Sequence, residues 1–189
     1  MKLAKSLDRL GTETAFSVLA KAKKLEAQGM PMIHLGLGQP DFKTPKHVVD
    51  AAKKALDDGH HGYVLSNGIL ECRQAVTRKI KKLYNQEVDP ERIIIMPGGK
   101  PTMHYAIQCF GEPGVEIIHP TPAFPIYESM INYTGSTPVP YDLTEDKDLK
   151  FSADKILPLI TEKTRLLILI NPNNPTGSFV EKSEIDKLA

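Results

Sequence analysis

The run Leu166-Leu167-Ile168-Leu169-Ile170 leads directly into Asn171-Pro172-Asn173-Asn174-Pro175-Thr176-Gly177. An apolar run without polar alternation predicts a strand buried on both faces, as in a parallel sheet covered by helices. In open α/β sheets ligands bind beyond the carboxyl ends of the strands, so the polar turn is expected to form part of a site. Its prolines fix φ and hold the preceding residues extended, which lets the side-chain amides of Asn171, Asn173 and Asn174 be aimed.

The rest of the chain has the alternation that such a sheet requires. Phe16, Leu19, Ala20 and Leu25 recur at helical spacing up to Gly29, and residues 32–35 predict a short strand. After the loop Gly36-Leu37-Gly38-Gln39-Pro40-Asp41-Phe42, Thr44 and Pro45 supply an N-cap and a first-turn proline for a helix that Gly59 closes. A second helix follows Gly68 with the stripe Ile69, Cys72, Val76, Ile80 and Leu83, and residues 93–96 predict a strand. Helices are then expected over 102–110, 126–133 and 154–160 and from Ser183 onward, with strands over 115–119, near Val139 and over 166–170. Strands alternating with helices form βαβ units, so the fold class is α/β, a three-layer αβα arrangement around a mainly parallel sheet.

Composition narrows the partners. The 189 residues are 41% hydrophobic and 25% charged, which suits a globular chain that buries a core. A net charge of +1, with lysines interspersed among acids, gives no field to concentrate nucleic acid or an anionic membrane. A small-molecule partner is expected. No apolar stretch is long enough to cross a bilayer or to resemble a signal peptide, and Cys72 and Cys109 lie far apart in helical patterns. A cytoplasmic location with free thiols follows as the expectation.

Two further strand ends carry unusual residues. In Met96-Pro97-Gly98-Gly99-Lys100-Pro101-Thr102 the glycines let backbone N–H groups converge, and the positive end of the next helix attracts an anion such as a phosphate. The same residues also read as a plain tight turn, and Lys100 as charge support, a solvated side chain or a reactive amine. Neither a Walker A loop nor a dinucleotide fingerprint fits: Pro101 follows Lys100, and Gly36-Leu37-Gly38 continues Gln39-Pro40-Asp41. In Pro120-Thr121-Pro122-Ala123-Phe124-Pro125-Ile126-Tyr127 the prolines can hold Phe124 as a flat face for a heteroaromatic ligand, or Phe124 can simply pack in the core. The 6 histidines show no metal-ligand spacing and no G-x-S-x-G elbow occurs, so no metal site and no nucleophile are assigned.

Taken in order, Gly38-Gln39-Pro40-Asp41-Phe42 with Thr44-Pro45, Tyr63 with Gly68, Gly98-Gly99-Lys100, Pro122-Ala123-Phe124 with Tyr127, and residues 171–177 resemble the class I, fold-type I pyridoxal-phosphate-dependent aminotransferases. The resemblance implies a pyridoxal 5'-phosphate cofactor, with the Gly98-Gly99-Lys100 turn and the backbone amides of Gly99 and Lys100 on its phosphate. It further implies Phe124 stacked on the pyridine ring, Asn174 on the phenolic oxygen, Tyr63 reaching a neighbouring subunit's cofactor, and Gly38 near the substrate carboxylate. Amino acids and 2-oxo acids would be the substrates and a homodimer the full-length assembly.

By the same resemblance, residues 1–45 form an N-terminal arm and small-domain segment, and 46–189 an incomplete cofactor-binding large domain. The Schiff-base lysine, the aspartate that pairs with the pyridine nitrogen and the arginine for the substrate α-carboxylate belong to later sequence in the family. No catalytic residue is therefore assigned within the chain, and no transamination is expected of it alone. Pro101 and Ala123 depart from commoner family residues. Another fold-type I activity, such as a carbon-sulfur lyase, or a non-catalytic binding or subunit-interaction module are the alternative readings.

Overall fold

The computed structural model describes residues 2–11, 14–143 and 149–189. Its helices are α1 (Thr14–Glu26), α2 (Lys46–Asp57), α3 (Leu70–Tyr84), α4 (Gly99–Phe110), α5 (Ile126–Thr134), α6 (Ala153–Ile156) and α7 (Lys182–Leu188). The strands are β1 (Glu116–Thr121), β2 (Thr137–Asp142) and β3 (Thr164–Leu167). The chain divides into two compact units, Met1–Ser17 with Gly99–Ala189, and Val18–Gly98.

In the first unit all the strand pairs are parallel and the order is β2-β1-β3. Neighbouring residues of β1 point to opposite faces. Ile117 packs with Ile107 of α4 and Met130 and Ile131 of α5, whereas Ile118 packs with Tyr141, Phe151 and Ile156, joined by Leu188 of α7. Two separate cores, one on each face of the sheet, make the three-layer αβα arrangement. Glu184 of α7 also accepts a 2.7 Å bond from the Ala153 N–H, satisfying a donor at the start of α6.

The prolines explain where pairing stops. Thr137 N donates to Val115 O and Leu143 N to Thr121 O, so the odd residues of β2 turn their N–H groups toward β1. Pro138 and Pro140 therefore face the open edge, where a missing N–H costs nothing. In β1 the even residues serve β3: Glu116 N donates to Lys163 O, and Ile168 N donates back to Ile118 O. The next donor in that ladder would be residue 120, a proline. Pairing of β1 with β3 accordingly ends at Ile118 with Leu167. The strand expected over 166–170 is thus corrected to Thr164–Leu167; Ile168 stays buried, but Leu169 is 38% exposed, so the run is not buried on both faces throughout.

Other expectations need correction too. Residues 32–35 and 93–96 form no strand. Ile33 and Leu35 are 86% and 91% exposed, and Ile95 N makes a single bond to Asn67 O rather than entering a ladder. An apolar β-type run becomes a strand only where a neighbour offers a row of backbone groups. Thr44 does not cap α2; the helix starts after Pro45 without a side-chain cap. α4 begins three residues before the expected Thr102, and Pro158 converts the end of the helix expected over 154–160 into the 3-10 turn Leu157–Leu159.

In the second unit α3 presents Arg73, not its apolar stripe, as its buried side chain. The Arg73 guanidinium donates to Gly68 O, Pro90 O and the Glu91 carboxylate, at 3.2, 3.0 and 2.7 Å. Gly68 has φ +95°, and a Cβ there would lie 2.8 Å from the Ile95 side chain, so only glycine suits this close approach.

Candidate functional site

The loops after β1 and β3 lie side by side at the carboxyl end of the sheet, because those strands are neighbours. The connection from β1 runs through α5 to β2 on one side, while β3 flanks β1 on the other. In open α/β sheets ligands bind beyond such strand ends.

Contacts there join residues of three sequence motifs in pairs. Lys100, in the first turn of α4, places its ammonium 5.6 Å from the centre of the Phe124 ring and 5.3 Å from that of Phe16, within cation–π range of both. Phe124 is half-buried in the loop after β1. The Asn173 side chain crosses from the loop after β3 to that same loop, its Nδ2 donating to Pro122 O at 3.4 Å and to Thr176 Oγ1 at 2.9 Å. Asn173 also closes its own turn: its N–H donates to Ser178 O and its carbonyl accepts from Gly177 N. Asn171 Oδ1 accepts from Val180 N at 3.1 Å, whereas Asn174 is exposed. The peptide bonds Thr121-Pro122, Asn171-Pro172 and Asn174-Pro175 are cis.

Gly99 is the first residue of α4, and Gly98 before it has φ +99°. The N–H groups of a first helical turn find no acceptor inside the helix, and the dipole makes that end positive. The first turn of α4 contains no acidic residue. An anion held at this end would meet both the helix dipole and the Lys100 ammonium.

The remaining sequence-predicted residues belong to Val18–Gly98. Tyr63 is fully exposed and lines a hollow with His60, Val64, Ile69 and Glu71. Gly38 is exposed just after the bend at Gly36-Leu37, with nothing within 4 Å of a Cβ built on it.

Sequence alone gives no role to three buried residues near the strand ends. For Asn173, the crossing to Pro122 has no local signal beyond the hydroxyl of Thr176 three residues on. His119, near the end of β1, is buried, and its Nδ1 lies 3.1 Å from Pro120 O. Burial lowers its pKa, partly opposed by that carbonyl and by the charge of Glu128. Tyr141 donates its hydroxyl to Ile168 O, and burial pushes its phenol well above the ordinary range. Among the described residues no three His, Cys, Asp or Glu side chains gather as a metal site, and no helix is long and apolar enough to cross a membrane.

The profile of the family described as aminotransferase class I and II matches residues 30–189. This chain belongs to that family. It is 36% identical to an aspartate aminotransferase of Bacillus subtilis (strain 168), over 100% of this chain and 48% of the relative. It is 33% identical to a probable aspartate/prephenate aminotransferase of Aquifex aeolicus, over 99% of this chain and 48% of the relative. The solved aspartate aminotransferase of Thermus thermophilus with maleate superposes with a TM-score of 0.93 at 31% identity, over 100% of this chain and 49% of that one. The chain thus spans about half the length of the curated relatives it matches. Its sheet and helices have the fold-type I architecture of these aminotransferases, and membership implies pyridoxal phosphate as the cofactor. The donor set fits such a group: helix-end amides and a lysine for an anion, an aromatic ring for a flat heterocycle, carboxamides for its polar edge.

Proposed function

We propose that this chain carries the cofactor-cradling part of a pyridoxal-phosphate-dependent aminotransferase, which exchanges an amino group between an amino acid and a 2-oxo acid. The observation that carries this reading is that Lys100 lies over the Phe124 ring while Asn173 bonds to Pro122, two residues before that ring. Gly98 gives the turn its left-handed backbone, and the amides of Gly99 and Lys100 hold the phosphate. The Lys100 ammonium adds charge, Phe124 stacks on the pyridine ring, and Asn174, exposed in the loop after β3, serves the phenolic oxygen. Bound there, pyridoxal phosphate supplies the electron sink of the reaction, while the chain supplies orientation and charge. None of residues 1–189 is assigned the catalytic base.

Gly38 is placed near the substrate carboxylate and Tyr63 at a neighbouring subunit's cofactor in a homodimer, which its full exposure supports. The relatives' names favour aspartate as amino donor. A cytoplasmic location belongs to the same proposal, in keeping with the free thiols of Cys72 and Cys109.

Equilibrium dialysis of the purified 189-residue chain, its fold monitored by circular dichroism, tests the reading. Saturable uptake of pyridoxal phosphate is expected, competed by inorganic phosphate and weakened in Phe124→Ala. Equal uptake of pyridoxal, which lacks the phosphate, or no saturable uptake by the folded chain, overturns it.

A further inference from the structure

Asn173 and Asn174 are adjacent in sequence but differ in setting. Asn174 is exposed, whereas Asn173 is 7% exposed and is tied down on every side. Its backbone bonds to Ser178 and Gly177 measure 2.7 and 2.8 Å, and its amide nitrogen reaches Thr176 and Pro122. Pro122 stands two residues before Phe124. One side chain therefore spans from the loop that carries the aromatic ring to the loop that carries the exposed carboxamide.

The span has a cost that a merely structural turn would avoid. Both amide hydrogens are committed to the bridge, and Asn173 Oδ1 is left buried without a partner among the described residues. Buried polar groups are normally satisfied, so one retained unsatisfied beside a site calls for a reason. A serine could close the turn, but its single O–H could not donate to both Thr176 and Pro122 as the two amide hydrogens do.

We propose that Asn173 is a positioning residue, which acts through Asn174 and Phe124 by fixing the separation between the carboxamide and the aromatic ring that flank the cofactor. The inference rests on the pyridoxal phosphate reading of the site. Thr176 is the second member of the device, since its hydroxyl takes one of the two amide hydrogens and also lies 2.7 Å from Ser178 Oγ. Displacing a positioned group by a fraction of an ångström loses binding and alters the electronic surroundings of the ring it faces.

The test uses the full 189-residue chain, with pyridoxal phosphate as the probe and two readouts: dissociation constant, and pH midpoint of the bound cofactor's visible absorbance change. Asn173→Ala and Thr176→Val are each expected to weaken binding roughly tenfold and to shift that midpoint in the same direction as Asn174→Ala. The double variant should bind no worse than Asn173→Ala alone, because both changes cut one bridge. Ile107→Val, which only thins the core near the C-terminal end of α4, should leave the midpoint in place. If the wild-type chain takes up no pyridoxal phosphate, the functional reading fails and this inference with it. If wild type binds and Asn174→Ala shifts the midpoint, but Asn173→Ala and Thr176→Val do not, the inference alone is overturned. A shift of equal size in Ile107→Val overturns it as well, since general loosening would then account for the effect.

Discussion

The Tyr141 hydroxyl donates to the carbonyl of Ile168 at 3.2 Å, in the place where a ladder hydrogen bond from residue 120 would fall. Proline at 120 has no N–H to give, and a side chain from β2 supplies the donor instead. Tyr141→Phe removes it and leaves a buried carbonyl unpaired, so a loss of roughly 1–2 kcal/mol in unfolding free energy is expected in urea melts. Because burial raises this phenol above its ordinary pKa, the unfolded chain gives up the proton first as pH rises. Stability should therefore fall above about pH 10, and Tyr141→Phe should flatten that decline.

Arg73 is 2% exposed while its partner Glu91 is 68% exposed. The two halves of this pair should behave differently. Arg73→Met leaves the carbonyls of Gly68 and Pro90 without their donor and should cost roughly 2–4 kcal/mol, whereas Glu91→Gln removes a solvated charge and should cost under about 1 kcal/mol. Denaturant melts of both variants separate the outcomes; equal losses would show that the ion pair, not the carbonyl bonds, carries the energy.

His119 is 3% exposed, and burial holds its pKa below that of the unfolded chain. The unfolded state takes up the proton first as pH falls. The stability His119 contributes is thus complete above about pH 6.5 and is lost below it, until the folded state protonates as well. Melting temperatures between pH 7.5 and 5 should drop more steeply for wild type than for His119→Gln, and parallel profiles would refute this.

Lys100 lies at the positive end of α4 yet stacks against two rings. Replacing it with methionine relieves the dipole, worth roughly 0.3–1 kcal/mol, and forfeits cation–π contacts of similar size. Lys100→Met should consequently shift the melting temperature little while weakening pyridoxal phosphate uptake several-fold, most strongly at low salt. A large loss of stability with unchanged uptake would assign Lys100 to the fold instead of the cofactor.

Much of the architecture was legible because helix-length periodicity and glycine stops are local signals. The helix starting after Gly68 and the one expected over 126–133 fall where their patterns place them. What was not legible involves partners distant in sequence. The apolar residues 32–35 and 93–96 have strand-like composition but no ladder to join, and the strand read over 166–170 stops early because of a proline on its neighbour. In α3 the stripe from Ile69 to Leu83 suggested the buried face, yet Arg73 is the side chain taken fully inside, because the carbonyls it satisfies come from residues 68 and 90.

By itself the sequence determined the alternating αβ order from residue 99 onward, the glycine and proline turns at strand ends, and the residue types suited to a phosphorylated aromatic cofactor. Each is a matter of neighbours along the chain, where dihedral restriction and hydropathy period act over a few residues. Only the tertiary structure decided that Lys100 meets Phe124, that Asn173 reaches Pro122, and that Asn173 is held inside while Asn174 is left exposed. Those outcomes depend on strand order and on which backbone groups remain to be satisfied at each sheet edge, and neither is encoded within any single segment.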